Sequence, residues 1–264
     1  MQHRPKKSLG QHFLTSPHYA EVMCDAAEVH TGEVVVEIGP GQGVLTRVLL
    51  ARGAQVVAIE KDDHLYTMLQ NAFEREIDTK ALRLIHADVL DTKDYELPAH
   101  FKLIANIPYN ITGEILRLFL GGPHQPESAT LLTQKEVAER ILARDQKQSL
   151  LSLSVSVFGT PRIVAKVSKG NFSPVPKVDS AILHISSISR SFFKNKEEER
   201  GFFELIRAGF AHKRKKLSSN IVPLYQKTSV SEAFFKLSIE ENARAEDIMK
   251  ENWLSLLRSL QSRG

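Results

Sequence analysis

The run Asn106-Ile107-Pro108-Tyr109 combines two neighbouring hydrogen-bond acceptors with an aromatic ring. The acceptors are the side-chain oxygen of Asn106 and the main-chain carbonyl of Ile107, whose direction Pro108 stiffens by favouring extended geometry before it. Such a pair can accept both hydrogens of an exocyclic amine, while Tyr109 stacks on the base that carries it. The alternative is a plain strand-end turn in which the asparagine caps the next helix. We interpret the motif as a binding site for an amino-bearing base.

A glycine-rich segment, Glu37–Gly43, lies between a predicted strand and a predicted helix. Glycine allows the backbone to approach a ligand closely, which makes Gly39 and Gly41 candidate contacts. Their spacing is G-x-G-x-G, whereas the dinucleotide fingerprint is G-x-G-x-x-G. A structural tight turn is the alternative. Because the loop has no Lys or Arg to meet a pyrophosphate, it favours a nucleoside cofactor that lacks phosphates.

Acidic residues end the next two predicted strands, at Glu60 and Asp88. Glu60 can accept hydrogen bonds from both ribose hydroxyls of a nucleoside. Asp88 can accept from the amino edge of an adenine, with Val89 offering an apolar face to the ring. Either acid alone is as readily a helix cap or a solvated side chain. Since ligands of open α/β sheets bind at the carboxyl ends of the strands, we expect these acids, the glycine loop and Asn106 to line one crevice.

The elements that position these residues follow from alternating apolar and amphipathic segments. Strands are predicted at Val34–Gly39, Gln55–Glu60, Leu82–Asp88, Lys102–Ile107, Ala129–Thr133, Arg162–Val167 and Ser180–Ile185. Helices are predicted at Leu45–Arg52, His64–Arg75 and Lys135–Arg144. This order predicts an α/β fold, a Rossmann-like, doubly wound, mostly parallel sheet closed by a C-terminal antiparallel hairpin strand.

The composition and the pattern of apolar residues change after Ser186. A polar, basic linker is predicted over 186–196, followed by short helices at Glu197–His212, Val230–Leu237 and Glu251–Leu260. We therefore expect two domains, residues 1–189 with the sheet and residues 190–264 as a small all-helical domain.

Composition indicates a globular protein with a mild positive charge. Of 264 residues, 42% are hydrophobic and 25% charged, and the formal net charge is +4. The basic residues are densest in two clusters, Arg4, Lys6 and Lys7 near the start, and Lys213, Arg214, Lys215 and Lys216 further on. A charge run is usually a solvated face, but beside a base-binding site we expect these clusters to contact nucleic-acid phosphates.

Other features exclude several classes of protein. Cys24 is the only cysteine, so no intrachain disulfide forms, which fits a reducing cytosol. We find no secretion signal or membrane-length apolar stretch and expect a cytoplasmic protein without a membrane partner. The ten histidines show no metal-ligand pattern, so no metal site is predicted. The absence of a heptad seam favours a monomer.

Several longer segments, in the same order, resemble the ribosomal RNA adenine dimethyltransferases, a family of Rossmann-like methyltransferases. The resemblance spans the whole chain and is strongest in Lys7–Leu14, Glu37–Thr46, Asn106–Thr112, Gln134–Arg140 and Asn171–Ala181. It implies S-adenosylmethionine as cofactor. It also implies a small helical domain that binds RNA.

The resemblance further implies a role for each site residue. The cofactor would be held by His12 and Leu14 at one side of the pocket, Gly39 and Gly41 at the methionine part, Glu60 at the ribose, and Asp88 with Val89 at the adenine. Asn106 is expected to contact the cofactor as well as the target. The target adenine would be held by Asn106, Ile107 and Tyr109, with Phe172 stacking on its other face. Many family members carry asparagine in place of His12, and both residues form hydrogen bonds.

Two branches share this fold. One dimethylates N6 of two adjacent adenosines near the 3′ end of small-subunit ribosomal RNA during ribosome assembly, with the immature small subunit as partner. The other methylates a large-subunit adenine. The resemblance favours the first. Methylation of DNA adenine, or an assembly factor that has lost turnover, are the alternatives.

Overall fold

The computed structural model describes residues 11–93, 95–143, 145 and 147–262. Within them a seven-stranded sheet has the order β4-β3-β2-β5-β6-β9-β7. A separate two-stranded sheet pairs β1 with β8. The strands are β1 Phe13–Leu14, β2 Val34–Ile38, β3 Gln55–Glu60, β4 Leu82–His86, β5 Lys102–Asn106, β6 Ser128–Gln134, β7 Thr160–Val167, β8 Phe172–Ser173 and β9 Ser180–Ser186.

The centre of the large sheet is parallel. β2 pairs with both β3 and β5, β3 with β4, and β5 with β6. β9 then runs antiparallel to β6 and to β7. The inner strands are runs of Val, Ile and Leu buried on both faces, as expected for parallel strands covered by helices. The predicted fold class is confirmed, including the antiparallel hairpin, and the strand limits differ by no more than a few residues.

The helices of the described residues are α1 Pro17–Ala26, α2 Val44–Ala51, α3 Asp63–Ala72, α4 Glu74–Asp78, α5 Thr112–Gly121, α6 Lys135–Ile141, α7 Leu150–Ser156, α8 Lys196–Gly209, α9 Leu217–Ile221, α10 Lys227–Lys236 and α11 Lys250–Gln261. The helix predicted over His64–Arg75 is divided, because the backbone of Phe73 leaves helical geometry (φ −126°) between α3 and α4. The predicted end of α6, Arg144, lies outside the described residues.

Sequence analysis missed α1, α5, α7 and α9. The buried stripe of α1 consists largely of small side chains, Ala20 and Cys24, with Met23 beside them, so its apolar contrast is weak. α5 follows the Asn106–Tyr109 motif with no side-chain cap to mark its start. Helices α7 and α9 are too short for the helical repeat of apolar residues to be clear in the sequence.

The chain divides into two compact units. The first contains the described residues up to Ala138 together with Gly159–Ile188, and hence both sheets. The second contains the described residues of Glu139–Phe158 and those from Ser189 onward. The boundary predicted after residue 189 stays a prediction, and α7 belongs to the second unit although it precedes the last strands.

The second unit has an aromatic core. Phe193, within the predicted linker, packs edge-on against Phe202 of α8 and against Phe158. Glu198 of α8 accepts hydrogen bonds from Arg258 of α11 at 2.7 and 3.2 Å, and Trp253 of α11 is fully buried. Within the described ranges, no helix is long and apolar enough to cross a membrane.

Candidate active site

A cavity of about 250 Å³ opens at the carboxyl ends of β2, β3 and β5, beside the end of β4. The chain reverses its winding direction here, since β3 and β4 lie on one side of β2 and β5 lies on the other. This reversal is where ligands bind in open α/β sheets. The lining includes the predicted residues His12, Leu14, Gly39, Gly41, Glu60, Asp88, Val89, Asn106, Ile107, Pro108 and Tyr109.

The glycine loop follows β2 and turns tightly into α2. Gly41 has a φ of +58°, a conformation that residues with a side chain rarely adopt. A β-carbon at Gly41 would come within 2.9 Å of the Phe13 ring, so glycine is also required for space. The loop therefore brings bare backbone to the cavity wall.

Glu37, at the end of β2, lies beneath the loop and is almost completely buried. Its carboxyl group accepts a hydrogen bond from the Thr46 hydroxyl at 2.7 Å. Burial raises the pKa of Glu37 to about 8, the Thr46 hydrogen bond opposes this, and the negative charge of Glu60 adds to it. The carboxyl group is therefore mostly protonated at neutral pH and loses its proton as the pH rises through about 8. We assigned it no role from the sequence, although it precedes Gly39 by two positions.

Glu60, at the end of β3, connects this strand to the loop. One carboxyl oxygen accepts from the Gly41 amide at 3.2 Å and the other from the Asp62 amide at 2.9 Å. Burial raises the pKa of Glu60, and the two amide hydrogen bonds oppose this shift. Each carboxylate oxygen has a further lone pair, so Glu60 can still accept from ligand hydroxyls.

Asp88 follows β4 and forms an ion pair at 2.6 Å with Lys61, which also lines the cavity. Its other oxygen accepts from the Leu90 amide at 3.0 Å. Burial alone would raise the pKa of Asp88, but the hydrogen bonds from Lys61 and Leu90 outweigh it and lower the pKa. Val89 is buried beside it, and its carbonyl accepts from the Tyr95 hydroxyl. Sequence analysis did not identify Lys61, because its ion pair with Asp88 joins residues that follow two different strands.

Asn106 ends β5 with its side chain held in one orientation. The Asn106 Nδ2 donates to the main-chain oxygen of His12 at 3.2 Å. An amide that donates through its nitrogen keeps its carbonyl oxygen as an acceptor. Ile107 is buried and lines the cavity with Pro108, whose ψ of 133° is extended.

Tyr109 begins a single 3₁₀ turn after Pro108. Its hydroxyl forms a hydrogen bond with the Ser180 hydroxyl at 2.7 Å, and its ring is stacked on His12 with centroids 5.7 Å apart. Burial raises the pKa of Tyr109, and the Ser180 hydrogen bond opposes this only partly. The phenol is therefore neutral at physiological pH. Sequence analysis placed Ser180 at the start of a predicted strand but gave it no role at the site.

Comparison with known proteins identifies the family of this chain. A sequence model of the ribosomal RNA adenine dimethylase family matches residues 2–262. The chain belongs to this family. It is 39% identical over 258 residues to ribosomal RNA small subunit methyltransferase A of Dehalococcoides mccartyi, covering 96% of this chain and 87% of the relative. It is 37% identical to the protein of that name in Thermosynechococcus vestitus, covering 98% of each.

Solved structures show the same fold. A dimethyladenosine transferase from Plasmodium falciparum superposes with a TM-score of 0.83 at 25% identity, covering 96% of this chain and 98% of the other. The 23S rRNA methyltransferase ErmE superposes with a TM-score of 0.75 at 27% identity, covering 94% and 99%. The chain is accordingly a methyltransferase of the adenine dimethylase family, as the resemblance predicted.

One predicted site residue of this methyltransferase lies elsewhere. Phe172 does not line the cavity; it is 3% exposed and packs in the hydrophobic core that includes Leu14. β8 pairs Phe172 with Leu14, and alternation along the strand turns Phe172 inward and leaves Ser173 exposed. In this structure the ring is therefore not available as the second stacking face.

The predicted basic residues Lys213, Arg214, Lys215 and Lys216 are all exposed in the turn between α8 and α9. Asn220 holds this turn, because its Nδ2 donates to the carbonyls of Gly209 at 2.6 Å and His212 at 3.1 Å. Arg214 and Lys216 line a second cavity together with Lys147, Arg244, Glu246 and Asp247, so this lining carries charges of both signs, and Lys147 is ion-paired with Glu246. The predicted Arg4, Lys6 and Lys7 lie outside the described residues.

Proposed function

We propose that the protein transfers methyl groups from S-adenosylmethionine to N6 of two adjacent adenosines near the 3′ end of small-subunit ribosomal RNA, producing N6,N6-dimethyladenosine. The observation that carries this proposal is Asn106, an oriented amide in the same cavity as Glu60 and Asp88. The cavity thus combines acceptors for a nucleoside cofactor with acceptors for an adenine amine. The small-subunit names of the relatives at 37–39% identity support the choice of RNA.

The residues present fit S-adenosylmethionine. Glu60 is a buried carboxylate suited to two ribose hydroxyls, and Asp88 is an ionised carboxylate suited to the adenine amine. Val89 supplies an apolar surface for the adenine ring, and Gly39 and Gly41 allow close approach of the methionine part. When bound, this cofactor supplies a methyl group already activated by its sulfonium.

The residues of the chain position the acceptor amine. Asn106 Oδ1 and the Ile107 carbonyl would accept the two N6 hydrogens, which raises the electron density on the nitrogen and makes its lone pair more reactive. Tyr109 would stack on the base, a contact worth about 1–3 kcal/mol. The base must leave its stacked context to enter the cavity, as in other base-modifying enzymes.

No general base is assigned, because alignment of nitrogen, methyl and sulfur is the main requirement of this reaction. Tyr109 is unsuited to the role because burial raises its pKa and its hydroxyl is engaged with Ser180. Asp88 is engaged with Lys61 and is proposed to bind the cofactor adenine. The proton released from the methylated amine passes to water.

The basic turn at 213–216 would contact RNA phosphates, with recognition by shape and little base reading outside the cavity. We infer an immature small ribosomal subunit as the partner, a monomeric enzyme, and the cytoplasm as the site of action, since ribosomes assemble there. The resemblance to ErmE makes large-subunit RNA the principal alternative substrate.

A substrate panel tests the proposal. Labelled methyl transfer would be measured on small subunits lacking adenine dimethylation, free ribosomal RNA, large subunits and duplex DNA. We expect label in small-subunit RNA as N6,N6-dimethyladenosine. Label confined to large-subunit RNA or to DNA would contradict the substrate assignment, and cofactor binding without transfer to any substrate would indicate an assembly factor.

A further inference from the structure

The side chain of His12 is held on two sides. Its Nδ1 lies 2.7 Å from the main-chain oxygen of Pro174. Because a carbonyl oxygen only accepts hydrogen bonds, Nδ1 carries the hydrogen in this contact. The imidazole ring also lies nearly parallel to the Tyr109 ring, with 21° between their planes. One residue therefore connects the loop at Pro174 to the aromatic ring of the target motif.

The main chain of His12 makes a second connection to that motif. Its carbonyl oxygen accepts the hydrogen bond from Asn106 Nδ2. This bond determines which end of the Asn106 amide remains to accept from a ligand. His12 thus contacts both side chains proposed to hold the acceptor adenine.

The residues after His12 are fixed independently. Phe13 packs against Gly41, and Leu14 pairs with Phe172. The amide and hydroxyl of Thr15 both donate to the Asn171 carbonyl at 2.9 Å. His12 itself lies just before β1, and the bond to Pro174 joins its side chain to the chain outside the Asn106–Tyr109 motif.

We propose that His12 is a positioning residue for the acceptor adenine: its bond to Pro174 holds its main chain against Asn106 and its ring against Tyr109. This inference rests on the proposed function. The second methyl transfer depends on it more than the first. N6-methyladenine has one N–H instead of two, so one acceptor bond is lost and the placement of the base relies more on the Tyr109 face.

Three substitutions separate the contacts of His12. His12→Asn keeps a side-chain N–H donor for Pro174 and loses the ring. His12→Phe keeps a ring and loses the donor, and His12→Ala loses both. His124→Asn, at an exposed histidine, is the matched control. For each we would measure kcat, the ratio of mono- to dimethyladenosine in the RNA, and the Kd of S-adenosylhomocysteine by calorimetry.

We expect His12→Ala to lower kcat about 10-fold and to raise the share of monomethyladenosine, because misplacement of a reacting group is costly. His12→Asn should restore both, and His12→Phe should fall between them. Because His12 lines the cavity proposed to hold the cofactor, kcat and the product ratio are compared at saturating S-adenosylmethionine, so that a change in Kd does not contribute to them. His12→Asn as impaired as His12→Ala, or a weakened Kd with an unchanged product ratio, would overturn the inference. If the wild-type protein forms no dimethyladenosine in any RNA, the proposed function itself fails.

Discussion

The carboxylate of Glu60 accepts a hydrogen bond from the amide of Gly41 at 3.2 Å, which joins the end of β3 to the glycine loop after β2. The same loop residue packs against Phe13 so closely that a β-carbon would lie 2.9 Å from the ring. The Glu60 carboxylate and the Phe13 ring therefore both contact the glycine loop at Gly41. A substitution in the loop should disturb the proposed contact between Glu60 and the ribose.

Gly41→Ala should weaken cofactor binding about tenfold or more, because it displaces either Phe13 or the loop; tenfold corresponds to about 1.4 kcal/mol. Calorimetry with S-adenosylhomocysteine measures this loss. Gly32→Ala is the control, since Gly32 also has a positive φ (+83°) but no atom within 4 Å of a β-carbon. Both variants should lose stability through backbone strain, of about 1–2 kcal/mol. Equal cofactor affinity in the two variants would contradict this account of the loop.

Glu37 makes stability depend on pH. Its pKa is about 8 in the folded chain against an ordinary 4.5, so between these values the folded state binds a proton that the unfolded state does not. The contribution of Glu37 is full below pH 4.5 and is lost as the pH rises through about 8. The upper limit of the slope is about 1.4 kcal/mol per pH unit.

Urea unfolding of the wild-type protein and Glu37→Gln at pH 5, 6.5 and 8 measures this effect. The wild-type protein should lose stability relative to Glu37→Gln as the pH rises. Parallel curves over that range would show that Glu37 titrates normally, and hence that its burial beneath the loop is not maintained in solution.

The basic turn should account for part of the salt dependence of RNA binding. Replacing Lys213 and Lys215 by alanine removes two exposed cations, and each phosphate contact contributes about 0.7–0.9 to the slope of log K against log salt. We therefore expect the slope to fall by about 1.4–1.8 in filter-binding assays with small-subunit RNA. The same replacement at Lys227 and Lys236, exposed on α10, is the control. An equal fall in the salt slope for both double variants would mean that the turn at 213–216 contacts RNA phosphates no more than α10 does.

The sheet and most of the cavity could be predicted from the sequence, because each strand and the residues at its end are recognisable within one short segment of the chain. β2, β3 and β5 are largely apolar, and parallel pairing of β2 with β3 and β5, and of β3 with β4, brings together the polar residues at the carboxyl ends of these strands. This is why Glu60, Asp88 and Asn106 could be placed in one crevice before the structure was known.

What sequence analysis missed depends on contacts between distant residues. Phe172 was expected in the site, but its pairing with Leu14 in β1 takes it into the core, and no local pattern reports that pairing. The ion pair of Lys61 with Asp88 joins the ends of two strands. The grouping of α7 with the C-terminal helices likewise follows from tertiary packing.

Asn106 provides the most direct test of the central claim, that this cavity holds an adenine amine for methylation. Nucleoside mass spectrometry would quantify dimethyladenosine formed in undermethylated small subunits by the wild-type protein, by Asn106→Ala and by Asn71→Ala, an exposed control on α3. We predict at least about a 100-fold loss for Asn106→Ala, the scale observed when a preorganised hydrogen bond is removed from an active site. The control should match the wild-type protein. Dimethyladenosine formed by Asn106→Ala at the wild-type rate would contradict the account.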